Sequence, residues 1–377
     1  MKIGIDASRA FINEPTGTER YSYELISRLI RLPEAKKHEW ILYVRKSQKS
    51  KIKSQKYKSK VKIIEIPLYF LWTQVGLAAR TWIDNLDCLW VPAHTLPVFR
   101  RPGIKTVVTI HGIEYEWLPA YENWLQRWYL PLSTKYAVAS ADKIIAVSGF
   151  TKRQLVERLG ADPKKIDVIY EGVSKQRSVT SVQRSEILHK LILRPGSYLL
   201  FIGTIQPRKN LERLVEAFKY LTPRPSPNLG EGGKLKLVIS GKWGWGYEKL
   251  RDITDKNIIF TGYVDDTTRQ ILLENALVYV QPSITEGFGL PVLEAMAAGV
   301  PVASSNGGAL SEIINVQYSM SNKILFDPYN VEDMVAKIKL VLTDDGLRRA
   351  MIKEGLENNF SWDKAARETY NILTKWR

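Results

Sequence analysis

The chain has 377 residues, with 55 Lys and Arg against 39 Asp and Glu, a net charge of +16. That length suits two domains that each bury a core, and 45% hydrophobic with 25% charged residues excludes a disordered or fibrous chain. The single cysteine, Cys88, excludes an intramolecular disulfide and a multi-cysteine metal site, which fits a reducing compartment.

The opening MKIGIDASRAF has no apolar run of the kind a secretory signal requires, and Lys2–Asp6 reads as a first strand. An amphipathic helix is predicted over Glu19–Leu32, ending at Pro33, and Trp40–Val44 as the next strand. Val44 to Lys62 then carries nine basic residues and no acidic one. Such a run serves equally as a solvated loop or as a patch facing an anionic surface. The imbalance extends further, since Met1 to Lys175 holds a net charge of +12 and the remainder +4. Aromatic residues cluster in the same half, over Leu68–Trp72 with Trp82, and over Trp117–Tyr129. Trp and Tyr beside basic residues suit a bilayer interface, although core packing explains any one of them. The apolar window Ile66–Ala79 contains a proline and is too short to span a bilayer. No helix-turn-helix, zinc-finger or RRM pattern accompanies the charge, so nucleic acid is not expected as a partner. The expectation is a cytoplasmic protein, peripheral on the inner face of the cytoplasmic membrane.

Further strands are predicted at Lys62–Ile66, Asp87–Val91, Thr106–Ile110, Asp142–Val147 and around Asp167–Tyr170, with a helix from Ser148. Polar Ser174–Ser185 reads as a linker, after which strands recur at Tyr198–Gly203, Leu235–Ser240, Ile258–Thr261, Val278–Gln281 and Pro301–Ser304. Thr222–Lys234 (TPRPSPNLGEGGK) reads as a surface insertion, and Trp362–Trp376 as a terminal helix. Strands alternating with helices predict an α/β protein: two doubly wound parallel-sheet domains facing a central cleft, with ligands at the strands' carboxyl ends.

Pro282–Gly299 (PSITEGFGLPVLEAMAAG) is the most informative segment. A strand leads into a glycine-rich turn, Pro291 opens a helix and Gly299 ends it. The amides of Phe288, Gly289 and Leu290 then face an anion at a helix N-terminus, and Gly287 and Gly289 admit close approach to the backbone. Glu286 and Glu294 each have the acceptor capacity to hold a sugar diol. A second segment, Phe201–Asn210 (FIGTIQPRKN), sets Arg208 and Lys209 just before a helix with Asn210 as its predicted N-cap. Cations there are disfavoured by the helix dipole unless an anion is bound, which points to a diphosphate.

EGFGLPVLEAMAAGVPV with GTIQPRKNLERLVEAF upstream resembles the family-4 retaining glycosyltransferases of the GT-B fold, the group-1 glycosyl transferases. The similarity extends to the GIDAS start, the glycine near position 17, His111-Gly112, VSGFTK at 147–152 and the FSWDKAARETY tail. GIDAS…TGTERYSYEL is similar to the branch of O-antigen-type mannosyltransferases. The resemblance implies a GT-B pair of Rossmann-like domains. Residues 1–175 would bind acceptor, joined by the terminal helix 362–377, and residues 176–361 would bind a nucleotide-sugar. It implies that Arg208 and Lys209 neutralise the donor diphosphate, that Glu294 holds the ribose and that Glu286 binds a donor-sugar hydroxyl. Gly241 with Tyr263-Val264 would border the base, the amides of Phe288, Gly289 and Leu290 would meet sugar and phosphate, and Gly203 and Gly287 would also belong to the donor site. His111 would lie near the anomeric region or C6 hydroxyl, and Gly17 in a loop closing over the phosphates, where the adjoining Thr18-Glu19 departs from the family pattern. The implied partners are a nucleotide-sugar, with GDP-mannose favoured, and a saccharide or lipid-linked acceptor. No metal and no further cofactor is expected.

Two other readings fit the same residues: a nucleotide-sugar 2-epimerase, and a membrane scaffold that binds sugar nucleotides without turnover. A dinucleotide oxidoreductase does not, because GIDASR follows the first strand where a G-x-G-x-x-G is required. The acid pairs Asp265-Asp266 and Asp344-Asp345 are expected to face solvent.

Overall fold

The structure, a computed structural model, describes residues 1–12, 14–46, 60–68, 70–113, 124–174, 179–221, 234–357 and 359–376, with side chains at 124–128 excepted. Most of the basic run 44–62, Trp117, the core of the Thr222–Lys234 insertion and part of the polar 174–185 stretch therefore lie outside the described residues. Contacts divide the chain into two units: Met1–Gly172 with Ser361–Arg377, and Val173–Phe360.

The first unit holds a sheet of 7 strands, β1 (Lys2–Asp6), β2 (Glu39–Arg45), β3 (Lys60–Ile66), β4 (Cys88–Val91), β5 (Lys105–Ile110), β6 (Lys143–Ala146) and β7 (Ile166–Val168). They lie in the order β3-β2-β1-β4-β5-β6-β7, and every pairing is parallel. The inner strands read as unbroken apolar runs because both faces are covered: Cys88, Leu89, Trp90 and Val91 are all fully buried. The edge strand β3 instead exposes Lys60 and Lys62, a charge pattern that discourages edge-to-edge pairing.

The second unit repeats the plan with 6 strands in the order β10-β9-β8-β11-β12-β13. These are β8 (Tyr198–Ile202), β9 (Lys236–Ser240), β10 (Ile258–Gly262), β11 (Val278–Gln281), β12 (Val302–Ser305) and β13 (Leu325–Phe326). Order reverses between β1 and β4 in one sheet and between β8 and β11 in the other, the positions where open α/β sheets leave a crevice at their carboxyl ends.

Helix Trp362–Thr374 buries Trp362, Ala365, Ala366, Thr369, Ile372 and Leu373, a single stripe at helical spacing. That stripe packs on helix Gly17–Leu29, with Arg28 and Asp363 paired at 3.2 Å. Gly172 lies against the backbone of Trp362, where a Cβ would overlap its amide nitrogen.

Three local expectations are corrected. The predicted linker runs into helix Ser181–Lys190, started by a capping box in which Thr180 and Gln183 exchange bonds of 3.1 and 3.2 Å. The first helix spans Gly17–Leu29, because Thr16 and Glu19 form its capping box. The short β13 was not foreseen: two residues carry no readable periodicity.

Candidate active site

At the carboxyl ends of β8, β9 and β10 the chain closes on itself through glycine. Gly203 N–H donates to Ser240 O and Gly241 N–H to Gly262 O, each at 2.9 Å. Gly241 has φ +153°, and a Cβ there would overlap the Gly203 carbonyl oxygen, so only glycine fits. Tyr263 follows β10 with its ring 4.9 Å from Lys242 Nζ, and half-buried Val264 comes next. The structure thus brings Gly203, Gly241 and Tyr263 to one corner of the second unit.

Beyond Gly203, a single 3-10 turn, Pro207–Lys209, sets two cations opposite the β11 loop. Both reach Glu286, which is 6% exposed: Arg208 Nη1 donates to Oε2 at 2.8 Å, and Lys209 Nζ donates to Oε1. Oε1 also accepts from Gln281 Nε2 at 3.0 Å and Ser283 Oγ at 2.7 Å. Burial alone would raise the carboxyl's pKa, but Arg208 and Lys209 hold it down at about 2. The cations and Glu286 form one buried cluster, with Oε1 accepting from three donors and Oε2 from one.

Asn210 is not the expected side-chain cap. It has φ +59°, and its amide donates to Pro282 O at 3.0 Å and Pro328 O at 2.7 Å, tying the Arg208 loop to the β11 and β13 loops. Ile284 N–H to Arg208 O at 2.8 Å adds a backbone tie.

Glu286 is followed by buried Gly287 and by Phe288, whose ring packs edge-on against Phe360 with centroids 5.9 Å apart. Phe288 and Leu290 are both buried, so their side chains belong to the core. Gly289 caps helix Leu290–Ala297 with φ +115°, a conformation side chains rarely adopt. Glu294, on that helix, meets Arg269 through both oxygens, Nη1 to Oε1 at 2.6 Å. It is a separate pair from the Glu286 cluster. Asp265 and Asp344 cap helices, accepting from Thr268 N–H at 2.7 Å and Leu347 N–H at 2.8 Å.

In the first unit, Gly17 is the opening residue of helix Gly17–Leu29 and not a loop position. His111 follows β5. Its Nδ1 lies 3.4 Å from Glu171 Oε1, its Nε2 lies 3.1 Å from Pro92 O, and Tyr21 packs edge-on at 4.5 Å. His94, after β4, lies 5.7 Å away between ring centroids, and burial lowers its pKa to about 3. Among the described residues no group of three or more His, Cys, Asp or Glu is arranged to hold a metal ion.

Gln281, Ser283, Arg269 and Glu171 were not foreseen. Gln281 and Ser283 alone carried a signal, as polar residues ending an otherwise apolar strand.

Residues 15–177 match Glycosyltransferase Family 4, and residues 186–358 match Glycosyl transferases group 1. O-antigen chain mannosyltransferase B of Escherichia coli is 30% identical over 275 residues, covering 71% of this chain and 69% of that protein. The chain is a member of this glycosyltransferase family. In the glycosyltransferase, the first match contains Gly17, His111 and Glu171, and the second contains Arg208, Lys209, Glu286 and Glu294. Two solved structures share the fold. Sucrose-phosphate synthase from Thermosynechococcus elongatus has a TM-score of 0.74 at 18% identity, covering 100% of this chain and 98% of that one. Anabaena Alr3699/HepE in complex with UDP and glucose has a TM-score of 0.71 at 16% identity, covering 100% of both. The two Rossmann-like units are those of the GT-B glycosyltransferases.

Proposed function

We propose that this glycosyltransferase moves a hexose from a nucleotide-sugar to a saccharide or lipid-linked saccharide, with retention of anomeric configuration and without a metal ion. The observation that carries this reading is the Arg208–Lys209–Glu286 cluster at the β8/β11 reversal. Anomeric substitution develops negative charge on the departing diphosphate, and preorganised cations in a dry site stabilise it strongly. Glu286 offsets one of the two positive charges until the diphosphate arrives and fixes the direction of both cations. Its commitment to four donors makes it a poor nucleophile, which favours same-face attack with a donor phosphate oxygen taking the acceptor's proton. The Glu294–Arg269 pair presents a fixed carboxylate to the ribose hydroxyls, while Gly203, Gly241 and Tyr263-Val264 border the base.

GDP-mannose is the favoured donor, supported by the mannosyltransferase relative. The fold shared with a UDP complex supports a UDP-sugar as the second reading. Purified protein incubated with GDP-, UDP- and ADP-sugars, with and without a lipid-linked saccharide, tests this through released nucleotide. Turnover of GDP-mannose above the others is expected. Preferential use of a UDP-sugar removes the donor assignment, and a 2-epimer formed without acceptor removes the transferase.

We also place the protein peripherally on the cytoplasmic leaflet. Among the described residues no helix is long and apolar enough to cross a membrane. Phe70, Leu71, Trp82 and Phe99 stand more than half exposed, with Trp82 Nε1 donating to Phe99 O at 3.2 Å. Exposed aromatic residues beside a basic run suit an anionic interface. Neutralising the lysines between 49 and 62 should abolish sedimentation with anionic vesicles; undiminished sedimentation refutes the basic run as the contact.

A further inference from the structure

The imidazole of His111 is flanked by oxygen on both sides. Pro92 O, 3.1 Å from Nε2, can only accept, so Nε2 carries a proton. Nδ1 faces Glu171 Oε1 at 3.4 Å, and Glu171 is 4% exposed at the end of the chain segment that follows β7. That approach of nitrogen and carboxylate is favourable only with a proton between them. Either His111 is an imidazolium beside an ionised Glu171, or the protonated acid donates to a bare Nδ1. Nε2 bears its hydrogen in both states, and the pair has no net charge in either.

The rest of the surroundings act in concert. Tyr21, from helix Gly17–Leu29, closes one side of the ring and donates to Thr109 Oγ1 at 3.3 Å, so its hydroxyl hydrogen is directed away from His111. His94 is held neutral by burial and adds no charge, and Arg9 is paired with Glu19 at 3.4 Å. Glu171 is the carboxylate that faces His111, and burial raises its pKa.

We infer that Glu171 is a positioning residue that keeps His111 as a hydrogen-bond donor through Nε2, excluding it as a general base at that atom. On arrival of substrate, the Nε2–H turns from the Pro92 carbonyl to a sugar or phosphate oxygen, and no covalent bond is made or broken by either residue. The inference rests on the transferase reading for its use in turnover, but the protonation state is measurable without it.

The test is the full-length protein with 15N-labelled histidine. Only four histidines are present (His38, His94, His111 and His189), and His111→Asn identifies the resonance. The wild-type ring should show Nε2–H at pH 7. Glu171→Gln, which can donate to Nδ1, should keep Nε2–H and hold kcat within about threefold of wild type. Glu171→Leu, which can donate nothing, should move the hydrogen to Nδ1 in part of the population and lower kcat at least about tenfold, with the donor KM changed less than about threefold. A merely structural role gives both variants the same loss with no change of tautomer. A bare Nε2 in the wild type, or one tautomer in all three proteins, overturns the inference. A changed tautomer with an unchanged kcat in Glu171→Leu overturns the part played in transfer. If the wild type transfers nothing, the transferase reading fails and the imidazole spectrum still decides the pairing.

Discussion

Glu286→Gln removes the charge at the centre of the cation cluster and leaves the shape intact. The wild-type carboxyl is held at about 2 against an ordinary 4.5. A group whose pKa is depressed on folding contributes stability that is complete above its unfolded value and is lost as pH falls through the folded one. At about 1.4 kcal/mol per unit, the shift corresponds to about 3 kcal/mol at pH 7, falling to about 1 kcal/mol at pH 3. The upper figure agrees with the cost of about 3–5 kcal/mol for leaving one partner of a buried ion pair uncompensated. Paired urea titrations of wild type and Glu286→Gln at several pH values measure the difference. The gap should narrow steadily below pH 4.5, and a gap of constant size would refute the ionic origin of the stabilisation, leaving only packing and neutral hydrogen bonds.

Other outcomes follow from the same geometry. Arg208→Ala combined with Lys209→Ala should lower kcat for transfer by at least about 100-fold in single-turnover assays, with near-wild-type turnover counting against leaving-group stabilisation. Gly241→Ala should destabilise by more than about 1 kcal/mol, because its Cβ would overlap Gly203 O, and chemical denaturation reads this directly. Gly17→Ala is the contrasting case: nothing lies within 4 Å of the added Cβ at a helical position, so it should be stabilising by about 0.4–1 kcal/mol. Trp362→Ala should cost about 3–5 kcal/mol in the first unit, seen as a lower melting temperature, since the indole is 2% exposed against helix Gly17–Leu29.

What could be read from the residues depended on sequence distance. The two sheets were legible because buried parallel strands are short apolar runs separated by helical periods, and Cys88–Val91 or Val278–Gln281 need no partner to be recognised. The turn before Leu290 was legible for the same local reason: glycine, proline and the helix they start are consecutive. The pairing of Glu286 with Arg208 and Lys209 crosses 78 and 77 positions, and nothing in either segment announces the other. The cations therefore read as waiting for phosphate when they already hold a carboxylate. Helix Ser181–Lys190 was missed because Leu188 is its sole buried residue, so it carries almost no apolar stripe, although Thr180 and Gln183 marked its start. Glu171 was invisible because one acid after a short strand says nothing about the imidazole it faces from elsewhere in the sheet.

The seating of Trp362–Thr374 on helix Gly17–Leu29 has a consequence for biosynthesis. The first unit joins Met1–Gly172 to Ser361–Arg377, so Val173–Phe360 is translated between its two parts. At about 5–20 residues per second, its groove for Trp362, Ile372 and Leu373 stays uncovered for about 10–40 s while the other unit is being made. Order of birth and order of completion are inverted. A nascent chain stalled or truncated before Ser361 would carry a finished second unit beside an unfinished, sticky first one, and it is the latter that chaperones would be expected to hold.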